Sequence, residues 1–499
     1  MKKFILKGSL FFCVALFFWF VPVLEGQAKG SETVKAGIYA EDISLAGMTK
    51  EEAEETIQAY IASLESVEIV LIAGDNQEVV TTAGELGVSW ANPEIIEEAL
   101  LLGTKGNIVQ RYKALKDLEY ENKIYPIELD FDISAINLIL TEQCSQYDRE
   151  AIDFGLIKEN NNFVVLEGQT GYHLDVEASI DTIYEYLTEE WNREACSIAV
   201  EVEISIPRGS KEELMQVKDV LGTCTTSFAS SNNNRGANVT RGCYLVDGTL
   251  LYPGDEFSCY ETIGPFTKQN GYYEAGTYVG GKLVDSLGGG ICQISTTLYN
   301  AVLLSELEVT MRYNHSMVVT YVEPSMDAAI ASSAGKDFKF VNSSDYPIYI
   351  EGFTTSNQEI TFTIYGVETR PESHSVEYVS EVLETIRPTS ETIYTDASLP
   401  IGAVDVSSAY IGYKARLWKI VKENGVEVSR EIINNSSYKM VPRSAVVGIA
   451  TEDPNAYNTL MEAIATNDIN HVRNIAAILA AQQAAAQQAA EAELVPPVQ

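Results

Sequence analysis

The sequence predicts a multidomain α+β chain: a two-copy α+β repeat, then a mixed α+β region, then a small all-β domain. Three observations carry this. The 499 residues exceed what a single core serves. A glycine-anchored pattern recurs, GELGVSWANPEIIEEAL from Gly84 and GQTGYHLDVEASIDTIYEYL from Gly168, at an offset of 84 positions. Beyond Ser373 the spacing of apolar residues changes from helical to alternating.

Residues 1–30 come first. Lys2, Lys3 and Lys7 precede the apolar run SLFFCVALFFWFVPVL, and Ala28 and Gly30 follow at the spacing of a small-residue cleavage site. This reads as an export signal peptide. It also reads as an uncleaved membrane anchor, since the run is only slightly short of a span. Either way the rest of the chain is expected outside the cytoplasm, secreted, wall-associated or anchored. The formal charge of −37 argues against nucleic acid, because phosphates are neutralised by Lys and Arg clusters. The acidity fits solubility in an exposed protein.

Residues 34–207 hold the repeat. Thr49 and Glu52 form a capping-box pattern opening a helix that carries Ile57, Tyr60, Ile61 and Leu64. Each glycine pair is preceded by a strand-rich run with a turn, GDN in the first copy and ENNN in the second. Each is followed by a helix, with Ile95, Ile96 and Leu100 in one and Ile180, Ile183 and Leu187 in the other. Residues 211–366 are rich in Gly, Tyr, Ser and Thr and end in two strand runs, FKFVNSSDYPIYIEGF and EITFTIYG. Residues 373–450 alternate, with a turn predicted at Asn424-Gly425 between two strands. Residues 476–499 are a low-complexity Ala/Gln tail without a distinct apolar face, read as a frayed helix or a disordered end.

Six cysteines follow the signal: Cys144, Cys196, Cys224, Cys243, Cys259 and Cys292. An even number permits disulfides, with Cys144–Cys196 and Cys243–Cys259 as candidate pairs. A working thiol at Cys292 must stay unpaired.

Cys292 stands out in LGGGICQISTTLYNAV. Gly288, Gly289 and Gly290 permit unusual backbone angles and close approach of a ligand or chain segment. Ile291, Ile294, Leu298 and Val302 then recur at helical spacing. Cys292 falls in the first turn, where unpaired N–H groups and the helix dipole favour a thiolate and can hold an oxyanion. His315 is the one histidine nearby, 23 positions on, in RYNHSMVVTYV, which reads as a strand. Asp327 follows and can orient an imidazole. Cysteine on a helix start, then histidine, then an acid is the order of transglutaminase-like thiol enzymes. The alternative is a buried cysteine in a packing turn. Asn232 to Arg241, in SSNNNRGANVTR, read as a solvated loop or a sugar- or peptide-binding loop. No metal-ligand spacing or cofactor-binding loop is present.

In sequence order, TSFASSNNNRGANV, LLYPGDEFSCYETIGPFTKQNGYYEA, GGGICQISTTLYNAVLLSELEV, RYNHSMVVTYV, DAAI and FKFVNSSDYPIYI resemble the VanW family. That family is named from glycopeptide (vancomycin) resistance clusters. The resemblance implies a role in the cell envelope, with the family's biochemical role undefined; Cys292, His315 and Asp327 match its motifs and are the candidate catalytic set of the alternative, thiol-enzyme reading. It implies substrate-binding positions at Arg235, Asn238, Gly288, Gly289, Gly290, Gln293 and Tyr299. Two departures stand out. Cys224, Cys243 and Cys259 occur where the family pattern has no cysteine, and Ser325-Met326 replaces the glycine expected before Asp327. Residues 34–207 resemble the peptidoglycan-binding domain that often precedes VanW domains. Residues 375–450 resemble a wall-associated G-five domain lacking several of its glycines. The implied partner is peptidoglycan, through its glycan or stem peptide, with no cofactor and no metal.

Overall fold

The computed structural model describes residues 32–279, 282–331 and 335–493. The signal or anchor at residues 1–30 lies outside them. Among the described residues no helix is long and apolar enough to cross a membrane. The chain divides into two compact units, one holding residues up to 150 with 172–205, the other 151–171 with 206 onward.

In the first unit, α1 (Lys50–Leu64) starts at the expected capping box. Thr49 N donates to the Glu52 carboxylate at 2.9 Å, and Glu52 N to Thr49 Oγ1 at 3.2 Å. Ala53, Ile57, Ile61 and Leu64 form its buried stripe. Strand β1 (Glu68–Ala73) buries Ile69 and Leu71 in the same core. It pairs antiparallel with β2 (Gln77–Thr82) and parallel with β3 (Cys196–Ala199). The GDN turn places Asp75 and Asn76 at positive φ. Helices α2 (Ile95–Leu101) and α3 (Val176–Glu185) close the core with Ile96 and Ile183.

The two glycine-anchored segments share an order of hairpin, short strand and helix, yet they are not equivalent copies. The first hairpin joins a three-stranded sheet. The second, Gly155–Glu159 with Asn162–Leu166, belongs to the second unit. Its Phe163 ring meets Tyr349 and Tyr365 edge-on, and Lys158 pairs with Glu351 at 2.9 Å. Those side chains decide its location, and the repeat pattern does not encode them.

The second unit begins on an antiparallel sheet. Strand β4 (Asp219–Ser227) pairs with the later β6 (Glu359–Gly366), which pairs with β5 (Ile348–Thr354). Helices α4 (Asn233–Val246) and α5 (Ile291–Leu304) pack on it. The polar run from Asn232 is therefore a helix and not a loop. Asn232 caps it by accepting from Arg235 N, and Val239, Cys243 and Val246 are its buried stripe. α5 is buried on nearly every side, with Ile294, Leu298 and Val302 at 0% exposure. Its buried polar side chains each make at least one hydrogen bond, although Asn300 Oδ1 has no partner.

The alternating region forms a three-stranded sheet of β7 (His374–Ile386), β8 (Gly412–Glu423) and β9 (Val426–Tyr438), with β8 central. Asn424 and Gly425 both have positive φ, so the turn predicted there forms. Leu417 and Tyr378 of this sheet join the core around α5, and the Tyr378 hydroxyl donates to Leu303 O at 2.7 Å. A second sheet is centred on β10 (Ser444–Ala450). The Ala/Gln tail is helical through Glu493, one of its two expected states, and residues 484–489 are exposed. It continues α6 (Ile469–Glu493), which buries Ile469, Val472, Ala476 and Leu479 against that sheet's core. The small alanines let the helix approach closely, so a weak apolar pattern suffices. Cys144, Cys196, Cys224, Cys243, Cys259 and Cys292 are all free thiols. The two expected pairs are not bonded, and Cys144, Cys243 and Cys259 are buried as small apolar side chains.

Candidate thiol site

Cys292 is the second residue of α5, and Gly290 is the N-cap at φ 106°. A side chain at Gly290 would be strained and would meet Arg235 Cγ at 2.8 Å. A Cβ at Gly289 would sit 2.2 Å from Ala275 O. Asn238 pins this turn from behind. Its Nδ2 donates to Gly289 O and Tyr273 O, both at 2.9 Å, and its Oδ1 accepts from Tyr273 N at 2.8 Å.

His315 does not sit on a strand. The strand ends at Met311, and residues 312–330 run as an irregular segment folded back on itself. Side chains replace the ladder there. His315 N and Nδ1 both meet Asp327 Oδ2, at 2.7 and 2.6 Å. Arg312 holds Asp327 through its carboxylate at 2.9 Å and its carbonyl at 2.7 Å. α5 fastens the far end of the segment. Ser295 and Thr296 hydroxyls donate to Ala328 O at 2.7 and 3.2 Å, and Asn300 Nδ2 to Met326 O at 2.8 Å. The helix that carries the thiol thus also positions the acid.

His315 bridges the two ends, bonded to Asp327 on one side and near enough to the Cys292 thiol on the other for each to shift the other's proton affinity. Cys292 Sγ also lies 3.4 Å from Ile330 O. Burial pushes the Cys292 thiol up, but the hydrogen bond and charge of His315 outweigh it and hold the thiol below its ordinary value. Burial would lower the His315 imidazolium, yet its bonds to Asp327 and Cys292 raise it to about 9. Burial raises the Asp327 carboxyl, while His315 and Arg312 bring it below the usual range. The arrangement favours a thiolate–imidazolium pair with a fixed carboxylate behind it.

The pair opens on a cavity of about 1020 Å³. Arg235, Gly288, Gly290 and Gln293 line it together with Cys292 and His315. Asn238, Gly289 and Tyr299, expected as substrate-binding, do not. Asn238 and Gly289 form the turn behind the wall, and Tyr299 is 1% exposed with its hydroxyl accepting from Asn434 at 2.9 Å. Gln293 is a strut as well as wall. Its Nε2 donates to Thr226 Oγ1 and Ser227 O, and its Oε1 accepts from Arg235.

Sequence reasoning missed Arg312 and the contribution of β9. The Tyr438 hydroxyl donates to Asp327 Oδ1 and accepts from Ser325 N. Asn434 Nδ2 bonds Ser325 O at 3.1 Å, and Ser436 Oγ accepts from Arg312 at 2.9 Å. Arg312 had a local signal, its place three positions before His315. Tyr438 had none.

Ser325, where the family pattern has glycine, takes the left-handed conformation at φ 71°. It is fully buried and its Oγ has no partner. Strain and an unsatisfied hydroxyl each cost roughly 1–3 kcal/mol, while glycine's flexibility takes back about 0.5–1 kcal/mol. Ser325→Gly is therefore expected to stabilise the protein by at least about 1 kcal/mol, read as a raised thermal midpoint. A lowered midpoint would contradict this account.

A half-buried cysteine facing a cavity, backed by a buried histidine and aspartate inside a multidomain α+β chain, defines the class. The family comparisons are more specific. Residues 234–365 match the family described as "VanW like protein". Residues 79–195 match the family described as "Putative peptidoglycan binding domain", and residues 377–451 match the G5 domain. The chain is 34% identical over 192 residues to the "Uncharacterized protein YoaR" of Bacillus subtilis, covering 38% of this chain and 62% of that one. It is 27% identical over 161 residues to the "Vancomycin B-type resistance protein VanW" of Enterococcus faecalis, covering 30% of this chain and 57% of that one. The match thus spans about three fifths of each curated relative. A solved IgA1 protease G5 domain is 29% identical over 16% of this chain and 94% of its own, with a TM-score of 0.12 too low to bear on the fold.

Proposed function

We propose that this is an exported, cell-envelope protein that engages peptidoglycan, and that Cys292 performs acyl transfer on wall peptides. The observation that carries the second part is His315 bridging Cys292 and Asp327 at the wall of an open cavity. The peptidoglycan-binding and G5 matches support the wall location. In the expected step the Cys292 thiolate attacks an amide carbonyl. Ile291 N and Gln293 N already donate to Gly288 O and Gly290 O, so the Cys292 N–H is the first-turn amide that stabilises the oxyanion. The C–N bond breaks, the amine leaves with the proton from His315, and a thioester remains on Cys292. Water or a second amine then resolves it, with His315 taking back a proton.

Two measurements test this. Isolated sacculi should retain the intact chain at moderate salt. Retention that vanishes as salt rises is non-specific adsorption, since exposed charges are then screened. Incubation with sacculi should also leave an acyl adduct on Cys292, seen by mass spectrometry and removed by hydroxylamine. A chain with its thiol intact that gives neither adduct nor altered muropeptides would refute the enzymatic reading, and failure to bind sacculi would refute the wall reading.

A further inference from the structure

The cavity over Cys292 has a charge pattern opposite to that of the chain. The chain carries a formal charge of −37. Among the described residues lining the cavity there is no aspartate or glutamate, while Arg235, Lys336 and His315 are all present. A polypeptide this acidic that keeps carboxylates off one concave surface presents that surface to anions.

Arg235 is the most telling of the three. Its guanidinium is half-buried and donates to Ser231 Oγ at 2.5 Å and to Gln293 Oε1 at 2.9 Å. Both acceptors are neutral. Among the described residues no carboxylate pairs with it, whereas Arg193, Arg208, Arg312 and Arg370 each have one. A guanidinium partly withdrawn from water without a counter-charge is left with an uncompensated desolvation cost, which a bound anion relieves. Two of its five N–H donors are engaged, and a planar fork suits a carboxylate. Its position is equally specific. The stem packs on Gly290, two residues before Cys292, and the head bonds Gln293, the residue after it. Tyr321, also on the cavity wall, feels the charges of both Cys292 and Arg235.

We propose that Arg235, assisted by Lys336, forms a carboxylate subsite beside Cys292, so that the acyl donor is an anionic peptide with a free carboxylate near the attacked amide. This rests on the thiol reading above and adds the substrate's charge to it. The helix start beneath the thiol adds to the same positive field.

Two alkylating reagents separate the subsite from the thiol. Iodoacetamide and iodoacetate undergo one reaction, in which the S–C bond forms and iodide leaves, but only iodoacetate carries a carboxylate next to the attacked carbon. In the intact chain at pH 7, the iodoacetate/iodoacetamide rate ratio at Cys292 is expected to exceed that of the urea-unfolded chain by about tenfold. Arg235→Gln should bring the ratio close to the unfolded value, Arg235→Lys should keep part of it, and Lys336→Gln should lower it less. General effects on thiol reactivity cancel in the ratio. A ratio equal to that of the unfolded chain, or one that Arg235→Gln leaves unchanged, overturns the subsite alone. If Cys292 reacts with neither reagent, the thiol reading and the subsite fall together. Should the Arg235 variants fail to fold by circular dichroism, competition in the unaltered chain decides. An N-acetylated dipeptide acid should slow iodoacetamide alkylation more than its amide does, and equal protection overturns the proposal. Inorganic phosphate protecting better than the dipeptide acid would also overturn the carboxylate assignment, in favour of a phosphate ligand.

Discussion

Alkylation of Cys292 in the intact chain is expected to continue at pH 6, and His315→Ala is expected to slow it there on the order of 10²-fold. The size follows from opposing influences. Burial raises the thiol, and the His315 bond and charge, with a smaller contribution from the Ile330 backbone, bring it below its ordinary value. Without the imidazole, the desolvation remains and most of the compensation is gone. At pH 6 an ordinary thiol holds well under about 1% of its thiolate. The sign can be checked from both sides. The Cys292 value is depressed, so the thiolate persists to lower pH than that of an ordinary thiol and is lost on passing the depressed value. The His315 value is raised to about 9, so its proton, needed by the leaving amine, is lost as pH climbs through about 9. Turnover should therefore decline above about pH 9 while alkylation does not. Iodoacetamide rates from pH 5 to 10 provide the measurement. Identical profiles for the two chains would remove His315 from the site.

Gly289→Ala is expected to destabilise the second unit by about 3 kcal/mol, the largest loss from any single methyl group in this turn. The new carbon would lie 2.2 Å from Ala275 O and 2.4 Å from Ala275 C, both backbone atoms of a paired strand. Backbone cannot rotate away as a side chain can. Either the 274–287 hairpin or the start of α5 must move, and Asn238 ties the two together through Gly289 O and Tyr273. Gly254→Ala provides the control. It meets nothing within 4 Å, so only its φ of 85° penalises it, by roughly 1 kcal/mol. Urea midpoints of the two variants should differ clearly. Equal midpoints would mean that the hairpin yields without cost.

What the sequence revealed, and what it hid, divides along sequence separation. The Thr49 capping box, the Asn424-Gly425 turn and the start of α5 were legible because each depends on residues within a few positions. Cys292, His315 and Asp327 were legible as a set because all three lie on one short stretch around α5. The role of Asn238 was misread because its type suits ligand binding as well as it suits pinning a turn. The Asn232 run was misread because asparagines favour loops until one of them caps a helix. The setting of His315 was misread because RYNHSMVVTYV has the apolar content of a strand, while its fold is fixed by Asp327 and Arg312. Tyr438 lies 111 positions from the carboxylate it contacts, and no local pattern announces it.

That last contact has a consequence for where this protein can be cut. The VanW match ends at residue 365 and the G5 match begins at residue 377, yet the carboxylate behind the imidazole is gripped by a hydroxyl from beyond that seam. A fragment ending at the seam would keep Cys292, His315 and Asp327. It would lose the Tyr438 hydroxyl on Asp327 Oδ1, leaving Arg312 there, and with it the amide on the Tyr299 hydroxyl and the hydroxyl on Arg312. Silence from such a fragment would report a missing splint and not missing chemistry. In the whole chain that sheet is also a mechanical fuse, because peeling β9 away would loosen the acid, leaving it to Arg312 and His315, before it disturbed the thiol.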